Sequence, residues 1–407
     1  MNILYLSQYF PPEVGATQNR AYEMARYLSG KGHNVTVMTE VPNHPSGIIP
    51  PEYRNSFRFE EQMDSFRVIR SLVYARPKKT FGTRIGFYLS YMIASVINSF
   101  FIKDRDIDMV FATSPPLFAG LAGCIISMIR GVPLVFEVRD LWPESAAELG
   151  ELKTSSLGYK IGNKIAEFCY HRADAIVSVT GGIHETLQTR LPKKHVKLIR
   201  NGTNPLCYCY KYNPGLENKL GWEGKFVVLY AGVHGIAQGL EIILEAANIL
   251  KCDRDIVFAF IGSGPKKAEL ICHAERLGLD NVTFLDEVPR EKIADYLSLA
   301  SVCLVPLRDL PLFRGALPSK LFDNWACKKP VILSIRGEAH RELTAAKGGL
   351  FAEPESAMAI VERISYLKNN PDVCTQLGEN GFNYVISQKL IRTEQAAQME
   401  ELLLDVL

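Results

Sequence analysis

Short apolar runs alternate with helix-type patterns along the whole of this 407-residue chain. Runs such as NILYLS (2–7) and IVFAFIG (256–262) are apolar at nearly every position, which is typical of parallel strands covered on both faces. Two series occur, at 2–7, 34–38, 66–70, 108–113, 133–138, 175–179 and 196–199, and at 225–232, 256–262, 282–285, 302–306 and 330–335. The pattern predicts α/β architecture with two doubly wound, Rossmann-like parallel-sheet domains.

The segment between the two series, RNGTNPLCYCYKYNPG (200–215), is rich in Gly, Pro and Asn and has no helical period. It predicts a linker between domains at 1–203 and 204–385. The remaining residues, 386–407, form an amphipathic pattern, and the predicted helix either braces the two domains or packs on the second alone. Doubly wound domains bind ligands at the carboxyl ends of their strands, so we expect a binding cleft between the domains.

Composition narrows the functional classes. A net charge of +2 is too small for a duplex nucleic-acid binder, which usually carries a strongly basic domain. Nine irregularly spaced cysteines predict reduced thiols in a cytoplasmic protein. Cys207 and Cys209 lack a second Cys/His pair nearby, which disfavours a metal site. Lys328 and Lys329 are interpreted as surface charges before a strand.

The segment IGFYLSYMIASVINSFFI (85–102) contains no charged residue and approaches the length of a membrane span. Gly86, Asn98 and its serines weaken that interpretation. Basic residues precede it, at Arg76, Lys78, Lys79 and Arg84. The arrangement leaves three interpretations open: a buried helix, a buried helix that also contacts an anionic membrane surface through 76–102, or a span.

Three places combine a strand, a glycine and a helix start: residues 8–20 with Gly15, residues 230–247, and residues 261–270. Glycine permits close backbone approach, and a helix N-terminus presents unpaired N–H groups to an anion. A dinucleotide fingerprint would need a third glycine after Gly262 and Gly264, where Lys267 stands. No Walker lysine loop or Gly-x-Ser-x-Gly elbow occurs either, so hydride transfer, P-loop hydrolysis and serine hydrolysis are disfavoured.

The stretch RGALPSKLFDNWACKKPVI (314–332) adds a fourth element. Pro318 suits a helix start, so the amides of Ser319 and Lys320 are expected to point at an anion. Asp323 lies one turn later and is suited to accept hydrogen bonds from the vicinal hydroxyls of a ribose. The pattern predicts a nucleoside-diphosphate pocket; the alternative is an ordinary helix with solvated charges.

Seven pieces of the chain together resemble the retaining glycosyltransferases of family four, which have the GT-B fold of two Rossmann-like domains facing a central cleft. They are FPPEVGA (10–16), VFEVRDLWPES (135–145), RADAIVSVT (172–180), IRNGTN (199–204), YAGVHGIAQGLE (230–241), IGSGPKKAEL (261–270) and LPSKLFDNWACKKPVI (317–332). RDLWPE and PSKLFDNWA look most like the branch that transfers N-acetylated aminosugars or deoxyaminosugars in bacterial O-antigen and capsule assembly.

The resemblance implies a role for each matched position. Catalytic positions beside the reacting sugar would be Arg139, Asp140 and Glu144. Donor-binding positions would be Gly15, Gly232, Gln238, Gly262, Gly264, Glu287, Val288, Ser319, Lys320 and Asp323, with the base near Glu287 and Val288 and the distal phosphate at Ser319 and Lys320. Two departures stand out: Gly315 and Asp323 occupy the places of a Glu pair that the family often shows, and Val233 and Gln238 occupy the places where many relatives have an Arg and a Lys in the Gly-rich turn.

The implied activity is retaining, metal-independent transfer of a sugar without a cofactor. The donor would be a nucleotide sugar, with UDP favoured, and the acceptor a lipid-linked saccharide in bacterial surface polysaccharide biosynthesis. The protein would be cytoplasmic, peripheral on the inner face of the plasma membrane, and would not bind nucleic acid. The alternatives are a sugar-nucleotide epimerase of the same architecture and a catalytically inactive sugar-nucleotide-binding protein.

Overall fold

The computed structural model describes residues 1–407 except 14, 44–45, 55–56, 78–79, 104–106, 149 and 206. The predicted basic residues Lys78 and Lys79 therefore lie outside the described residues. Two compact units are present, one formed by 1–201 with 392–407 and the other by 202–391. Each has its own sheet.

The sheet of unit 1 has the order β3-β4-β2-β1-β5-β6-β7-β8. Its strands are β1 (Asn2–Leu6), β2 (Asn34–Glu40), β3 (Arg58–Met63), β4 (Phe66–Ser71), β5 (Met109–Ser114), β6 (Leu134–Val138), β7 (Ala175–Ser178) and β8 (His195–Leu198). All pairs are parallel except β3 with β4. The helices are α1 (Ala16–Gly30), α2 (Phe81–Ser99), α3 (Leu117–Arg130), α4 (Glu144–Glu148), α5 (Leu157–Arg172) and α6 (Gly181–Arg190).

Alternate residues of each unit 1 strand enter two different cores. Leu4 and Leu6 of β1 pack with α3 and α5, whereas Ile3 and Tyr5 pack with α1 and with the last helix, α15 (Arg392–Val406). This alternation makes the near-continuous apolar strands of the sequence. Because α15 lies in the α1 core, it packs on unit 1 rather than on unit 2 alone. Its bracing role stays a prediction.

Unit 2 contains an all-parallel sheet of order β11-β10-β9-β12-β13-β14. Its strands are β9 (Phe226–Ala231), β10 (Ile256–Ile261), β11 (Val282–Leu285), β12 (Val302–Pro306), β13 (Val331–Ser334) and β14 (Gly349–Phe351). The helices are α7 (Pro214–Leu220), α8 (Glu241–Ile249), α9 (Lys267–Leu277), α10 (Ile293–Leu299), α11 (Ser319–Ala326), α12 (Glu338–Ala346), α13 (Ala357–Asn369) and α14 (Pro371–Ser387). Helices α8, α9 and α13 cover one face, and α10, α11 and α12 contribute to the cores of the other.

The predicted α/β architecture of two parallel-sheet units is confirmed, and all twelve predicted strands are present. Two strands were missed. β3 (RFEEQM) is a polar antiparallel edge strand with exposed positions, and β14 is three residues long and begins with a glycine. Neither contains the buried apolar run on which the prediction rests.

The uncharged segment 85–102 begins within α2. Tyr91, Asn98 and Ser95 of this helix are buried, and the Tyr91 hydroxyl donates to the Met38 carbonyl over 2.8 Å. Within the described residues, no helix has the length and apolar character required to cross a bilayer. The spanning interpretation was therefore wrong, and the two buried-helix interpretations stay open.

A buried ion pair connects α1 to the centre of the unit 1 sheet. Arg20 donates from Nε and Nη2 to Oε1 of Glu137 over 2.9 and 2.7 Å, and Thr113 donates to the other carboxylate oxygen over 2.8 Å. Arg20 also donates to the carbonyls of Ile199 and Arg200, beyond β8. The Arg20 guanidinium holds the pKa of Glu137 below its usual value, although burial opposes the shift.

We expect Arg20→Met to lower the free energy of unfolding of unit 1 by about 3–5 kcal/mol, because it leaves the Glu137 carboxylate buried without its hydrogen-bonded cation. Arg67→Met is the matched control, since Arg67 forms an exposed ion pair with Glu60 and should contribute about 0–1 kcal/mol. Hydrogen exchange of the β5 and β6 amides across a urea series measures the change in the free energy of unfolding for each variant. Equal effects of the two variants would contradict the structural importance of the buried pair.

Candidate functional site

Two glycine turns pack against each other at the carboxyl edge of the unit 2 sheet. The Gly232 amide, after β9, donates to the Ile261 carbonyl over 2.9 Å, and the His234 amide donates to the Ser263 carbonyl over 2.8 Å. A Cβ on Gly262 would lie 2.1 Å from the Gly232 carbonyl oxygen, and one on Gly264 would lie 2.5 Å from the His234 carbonyl oxygen. Both glycines also have positive φ. Backbone packing therefore requires glycine here, and it fixes the two turns as one platform.

The side chain of His234 lies beneath this platform and is fully buried. Its ring lies among Tyr230, Phe260 and Phe284, with centroid distances of 5.8 to 6.4 Å. Burial lowers the pKa of His234 to about 4, and the nearby positive charge of Lys267 acts in the same direction. At neutral pH the imidazole is therefore uncharged and serves as an aromatic support for the turns.

A lysine from α11 reaches the same platform. Lys320 Nζ donates to the Tyr230 hydroxyl over 2.9 Å and lies 4.1 Å from the centroid of that ring. A Cβ on Gly232 would lie 2.5 Å from Nζ, so the glycine leaves the room that the ammonium occupies. Burial lowers the pKa of Lys320 to about 7, although Asp323 favours the charged form. The site thus presents one enclosed cation at the Gly232 turn.

Helix α11 begins beside this cation. Pro318 precedes Ser319 at its N-terminus, and no side chain caps it. The Leu321 amide donates to the Pro318 carbonyl over 3.0 Å, whereas the amides of Ser319 and Lys320 have no acceptor in the described part of the chain. Asp323, one turn further, is only 7% exposed. The helix start, the lysine and the carboxylate predicted from the sequence therefore share one end of α11.

Arg308 is a further candidate for the site, which the sequence did not suggest. It follows β12, its amide donates to the Ala237 carbonyl over 2.9 Å, and its Nε donates to the Ile236 carbonyl over 2.9 Å. Its Nη2 lies 3.8 Å from a Glu241 oxygen. The guanidinium therefore lies over the Gly-rich turn. Its position in the sequence could have suggested it, because it directly follows an apolar strand, and ligands of such sheets bind at the carboxyl ends of the strands.

The other predicted donor positions also lie at this edge. Gln238 folds over Gly235, where a Cβ would lie 2.5 Å from the Gln238 Oε1. Glu287 follows β11 and accepts from the Ser263 hydroxyl over 2.9 Å, while Val288 is half-buried against a core. The structure therefore groups Gly232, Gln238, Gly262, Gly264, Glu287, Val288, Ser319, Lys320 and Asp323 at one sheet edge.

The remaining predicted positions lie in unit 1. Gly15 immediately precedes α1, and Arg139 and Asp140 follow β6. The Asp140 carboxylate accepts from the Ser145 hydroxyl over 2.8 Å, and burial raises its pKa. Burial lowers the pKa of Arg139, opposed by the charge of Glu137.

Glu144 differs from Arg139 and Asp140, because it forms an ion pair with Arg190 at the end of α6. This pairing favours a structural role for Glu144 over a contact with substrate. Its predicted catalytic role stays untested. Among the described residues, no group of three or more His, Cys, Asp or Glu side chains is arranged to hold a metal ion.

Comparison with known proteins matches both halves of the chain. Residues 15–202 match the model of a glycosyl transferase 4-like domain, and residues 215–384 match that of glycosyl transferases group 1. The putative colanic acid biosynthesis glycosyl transferase WcaI of Escherichia coli is 25% identical over 381 residues, which cover 89% of this chain and 91% of WcaI.

Solved structures share the fold over nearly the whole length. Sucrose-phosphate synthase of Thermosynechococcus elongatus superposes with a TM-score of 0.78 at 19% identity, covering 99% of this chain and 98% of the other. HepE of Anabaena, solved with UDP-glucose, gives a TM-score of 0.71 at 16% identity and covers 99% of each chain.

The enclosed lysine predicts a pH-dependent penalty on folding. Since the folded state holds the pKa of Lys320 near 7, below the unfolded value, a charged Lys320 opposes folding most strongly below pH 7. The penalty fades as pH rises from 7 toward 10. Lys320→Met should raise the free energy of unfolding by about 2 kcal/mol at pH 6, and the gain should shrink by pH 10. Urea denaturation across this pH range measures the difference.

Lys251→Met is the control for that series, because Lys251 is exposed. Its effect should be small and should not depend on pH over the same range. A Lys320→Met effect that stays constant from pH 6 to pH 10 would contradict the enclosed position of the ammonium.

Proposed function

We propose that this chain, which belongs to the GT4-like glycosyltransferases with the GT-B fold, moves a sugar from a nucleoside diphosphate to a lipid-linked saccharide. One observation carries the assignment of the donor: Lys320, the α11 N-terminus and the interlocked glycine turns meet at one edge of unit 2. This combination of a cation, free amides and close backbone approach suits a diphosphate. Asp323, on the same helix, is the proposed partner of the ribose hydroxyls.

The Gly-rich turn itself carries no positive charge at Val233 or Gln238, and two cations from other elements reach it instead. Val233 is exposed and Gln238 is folded over Gly235, so neither supplies the positive charge that relatives place there. Lys320 enters from α11 and Arg308 from the loop after β12, and both contact residues of the turn or of β9. We assign to these two cations the neutralisation of the diphosphate.

The proposed donor is a UDP-linked N-acetylated aminosugar or deoxyaminosugar. Support for UDP comes from HepE, whose fold this chain shares and which was solved with UDP-glucose. Support for surface polysaccharide biosynthesis, as O-antigen or capsule, comes from the name of WcaI, a putative colanic acid biosynthesis enzyme. The aminosugar rests on the resemblance of RDLWPE and PSKLFDNWA to that branch of the family.

In the proposed reaction, the acceptor hydroxyl oxygen bonds to the anomeric carbon while the bond from that carbon to the diphosphate oxygen breaks. Attack on the face that the diphosphate leaves retains the configuration, and the departing phosphate oxygen takes the hydroxyl proton. Lys320, Arg308 and the amides of Ser319 and Lys320 stabilise the charge that develops on the diphosphate. We assign Arg139 and Asp140, at the carboxyl edge of unit 1, to the reacting sugars.

We place unit 1 on the inner face of the plasma membrane. Ile93, Ile97, Phe100 and Phe101, on or just after α2, are between 41% and 67% exposed. The end of α3 continues this apolar surface, because Arg130 donates to the carbonyls of Ser99 and Ile102 and the preceding Met128 and Ile129 are exposed. Arg76 and Lys103 are exposed on either side of α2. Apolar side chains with nearby cations suit an anionic lipid surface.

Asp323→Ala should lower the affinity for UDP at least tenfold and abolish transfer, because the ribose hydroxyls lose their acceptor. Calorimetry with UDP measures the affinity, and release of UDP from UDP-N-acetylaminosugars measures transfer, with a polyprenyl-diphosphate saccharide as acceptor. Asp280→Ala is the control, since Asp280 is an exposed residue before β11. Unchanged affinity in Asp323→Ala would overturn the ribose assignment.

The same assay tests the function itself. A transferase forms the glycosylated lipid only when both donor and acceptor are present. Conversion of the nucleotide sugar without an acceptor would identify an epimerase, and binding of UDP with no turnover would identify a sugar-nucleotide-binding protein.

Phe100→Ser with Phe101→Ser should abolish sedimentation with vesicles that contain phosphatidylglycerol, and wild-type binding should weaken as salt is raised. The matched control is Ile249→Ser with Met358→Ser, two similarly exposed apolar residues of unit 2. Equal loss in both double variants, or equal wild-type binding to neutral vesicles, would contradict the proposed membrane surface.

A further inference from the structure

A second concavity lies at the opposite edge of the unit 2 sheet. It has a volume of about 480 Å³, within the range of small-molecule sites. Its lining includes Phe226, where β9 begins, and Ser301 and Pro330, which directly precede β12 and β13. These positions mark the amino ends of the strands. The concavity is therefore separate from the donor site at their carboxyl ends.

The Lys-Lys-Pro that follows α11 contributes two cations to this concavity. Lys328 agrees with the expected surface charge, since it pairs with Glu379 over 3.0 Å. Lys329 is partly exposed as well, and its ammonium lies 5.1 Å from the centroid of the Tyr210 ring, much as that of Lys328 lies 5.0 Å from the Phe382 ring. Both lysines are therefore partly exposed, and their interpretation as surface charges stays a prediction. The face of the Tyr210 ring lies beside the Lys329 ammonium, a contact that the sequence separation of more than a hundred residues concealed.

Of the three lysines that line the concavity, Lys328 and Lys368 have carboxylate partners among the described residues and Lys329 does not. Lys328 is neutralised by Glu379, and Lys368 contacts both carboxylate oxygens of Asp253 at 2.6 Å. In the described part of the chain, no carboxylate lies within ion-pair distance of the Lys329 ammonium. The concavity therefore carries one unmatched positive charge.

The thiols facing Lys329 come from three separate elements: Cys303 on β12, Cys327 after α11, and Cys374 on α14. Burial lowers the pKa of Lys329. Burial also raises the pKa values of the three thiols, so they do not supply a thiolate at neutral pH. A bound anion would supply the counterion that the protein lacks here.

A second, adjoining cavity of about 440 Å³ shares Tyr210 and Lys328 with the first. It is lined by Tyr208 and Cys209 of the LCYCYKY stretch, and by Phe382 and Val385 of α14. The linker segment 200–215 thus contributes to the lining of both cavities. Together they offer an apolar surface next to the unmatched ammonium.

We propose that Lys329 and Tyr210 form a second ligand site, for a small molecule in which a carboxylate or phosphate is joined to an apolar or ring-shaped body. The oxyanion pairs with the Lys329 ammonium. The body lies against Tyr210, Phe226, Pro330 and Leu367, whose side chains line the concavity. The site goes beyond the proposed transfer reaction, and nothing in its argument depends on the identity of the donor.

The position of the site connects it to the donor site through one helix. Helix α11 has Ser319 and Lys320 at its start and is followed by Cys327, Lys328 and Lys329. Eight residues of α-helix span about 12 Å. An anion at Lys329 therefore lies at the other end of the helix that positions Lys320. The two sites are joined by this one helix.

Phenyl phosphate and benzoate are suitable probes, because each joins one of the two oxyanions to a ring. Calorimetry on the full chain at pH 7 should detect binding of at least one, and comparison of the two identifies the preferred oxyanion. Lys329→Met should weaken that binding about tenfold or more, because it removes the cation and keeps the aliphatic length. Lys251→Met is the control and should change the affinity less than twofold, since Lys251 is exposed and does not line the concavity.

Two further measurements make the result specific. Affinity should fall as pH rises through the lowered pKa of Lys329, because the neutral amine no longer attracts the anion, and the pH dependence should vanish in Lys329→Met. Lys320→Met should leave probe binding intact. Undiminished binding in Lys329→Met, or loss of binding in Lys320→Met, would overturn the site, as would absence of binding by both probes at millimolar concentration. None of these outcomes bears on UDP binding or on transfer.

Discussion

The burial of parallel strands on both faces is the constraint on which the rest of the structure depends. Helices cover both sides of the unit 2 sheet, so a polar group that contacts a ligand has room only at the strand ends. The carboxyl ends collect the glycine turns, Lys320 and Arg308, and the amino ends collect Lys329 and Tyr210. Both proposed ligand sites therefore lie at strand ends, because the helices cover the faces of the sheet.

Buried charge is handled in two different ways in this protein. In unit 1, the Glu137 carboxylate is satisfied by Arg20 and Thr113, and the result is a rigid connection between α1 and the sheet. In unit 2, Lys320 and Lys329 are partly buried beside aromatic rings, and burial lowers the pKa of each. An enclosed cation opposes folding until an anion joins it, so its presence is best explained by a ligand. The first arrangement stabilises the fold. The second destabilises the ligand-free protein, and the binding of an anion would relieve that cost.

Sequence periodicity predicted the strands that are apolar throughout, and it failed where that pattern is absent. The polar edge strand β3 and the three-residue β14 were missed for this reason. At the donor site, the helix start at Pro318, with Lys320 and Asp323 on the following turn, was predictable because it depends on local spacing. Arg308 was not, since it reaches the Gly-rich turn from a loop some seventy residues later. Replacement of a missing side chain by a distant one leaves no local pattern.

The sequence by itself determined the two series of buried strands, the positions of the turns between them and the membership of the chain in a glycosyltransferase family. These properties follow from apolar periodicity and short motifs, which are local. Only the tertiary structure decided which cations lie beside which glycines, that Glu144 pairs with Arg190, and that Lys329 lies beside the ring of Tyr210. The physical reason is that burial and charge pairing depend on neighbours brought together from distant parts of the chain, and the sheet edges fix those neighbours only after the strands have assembled.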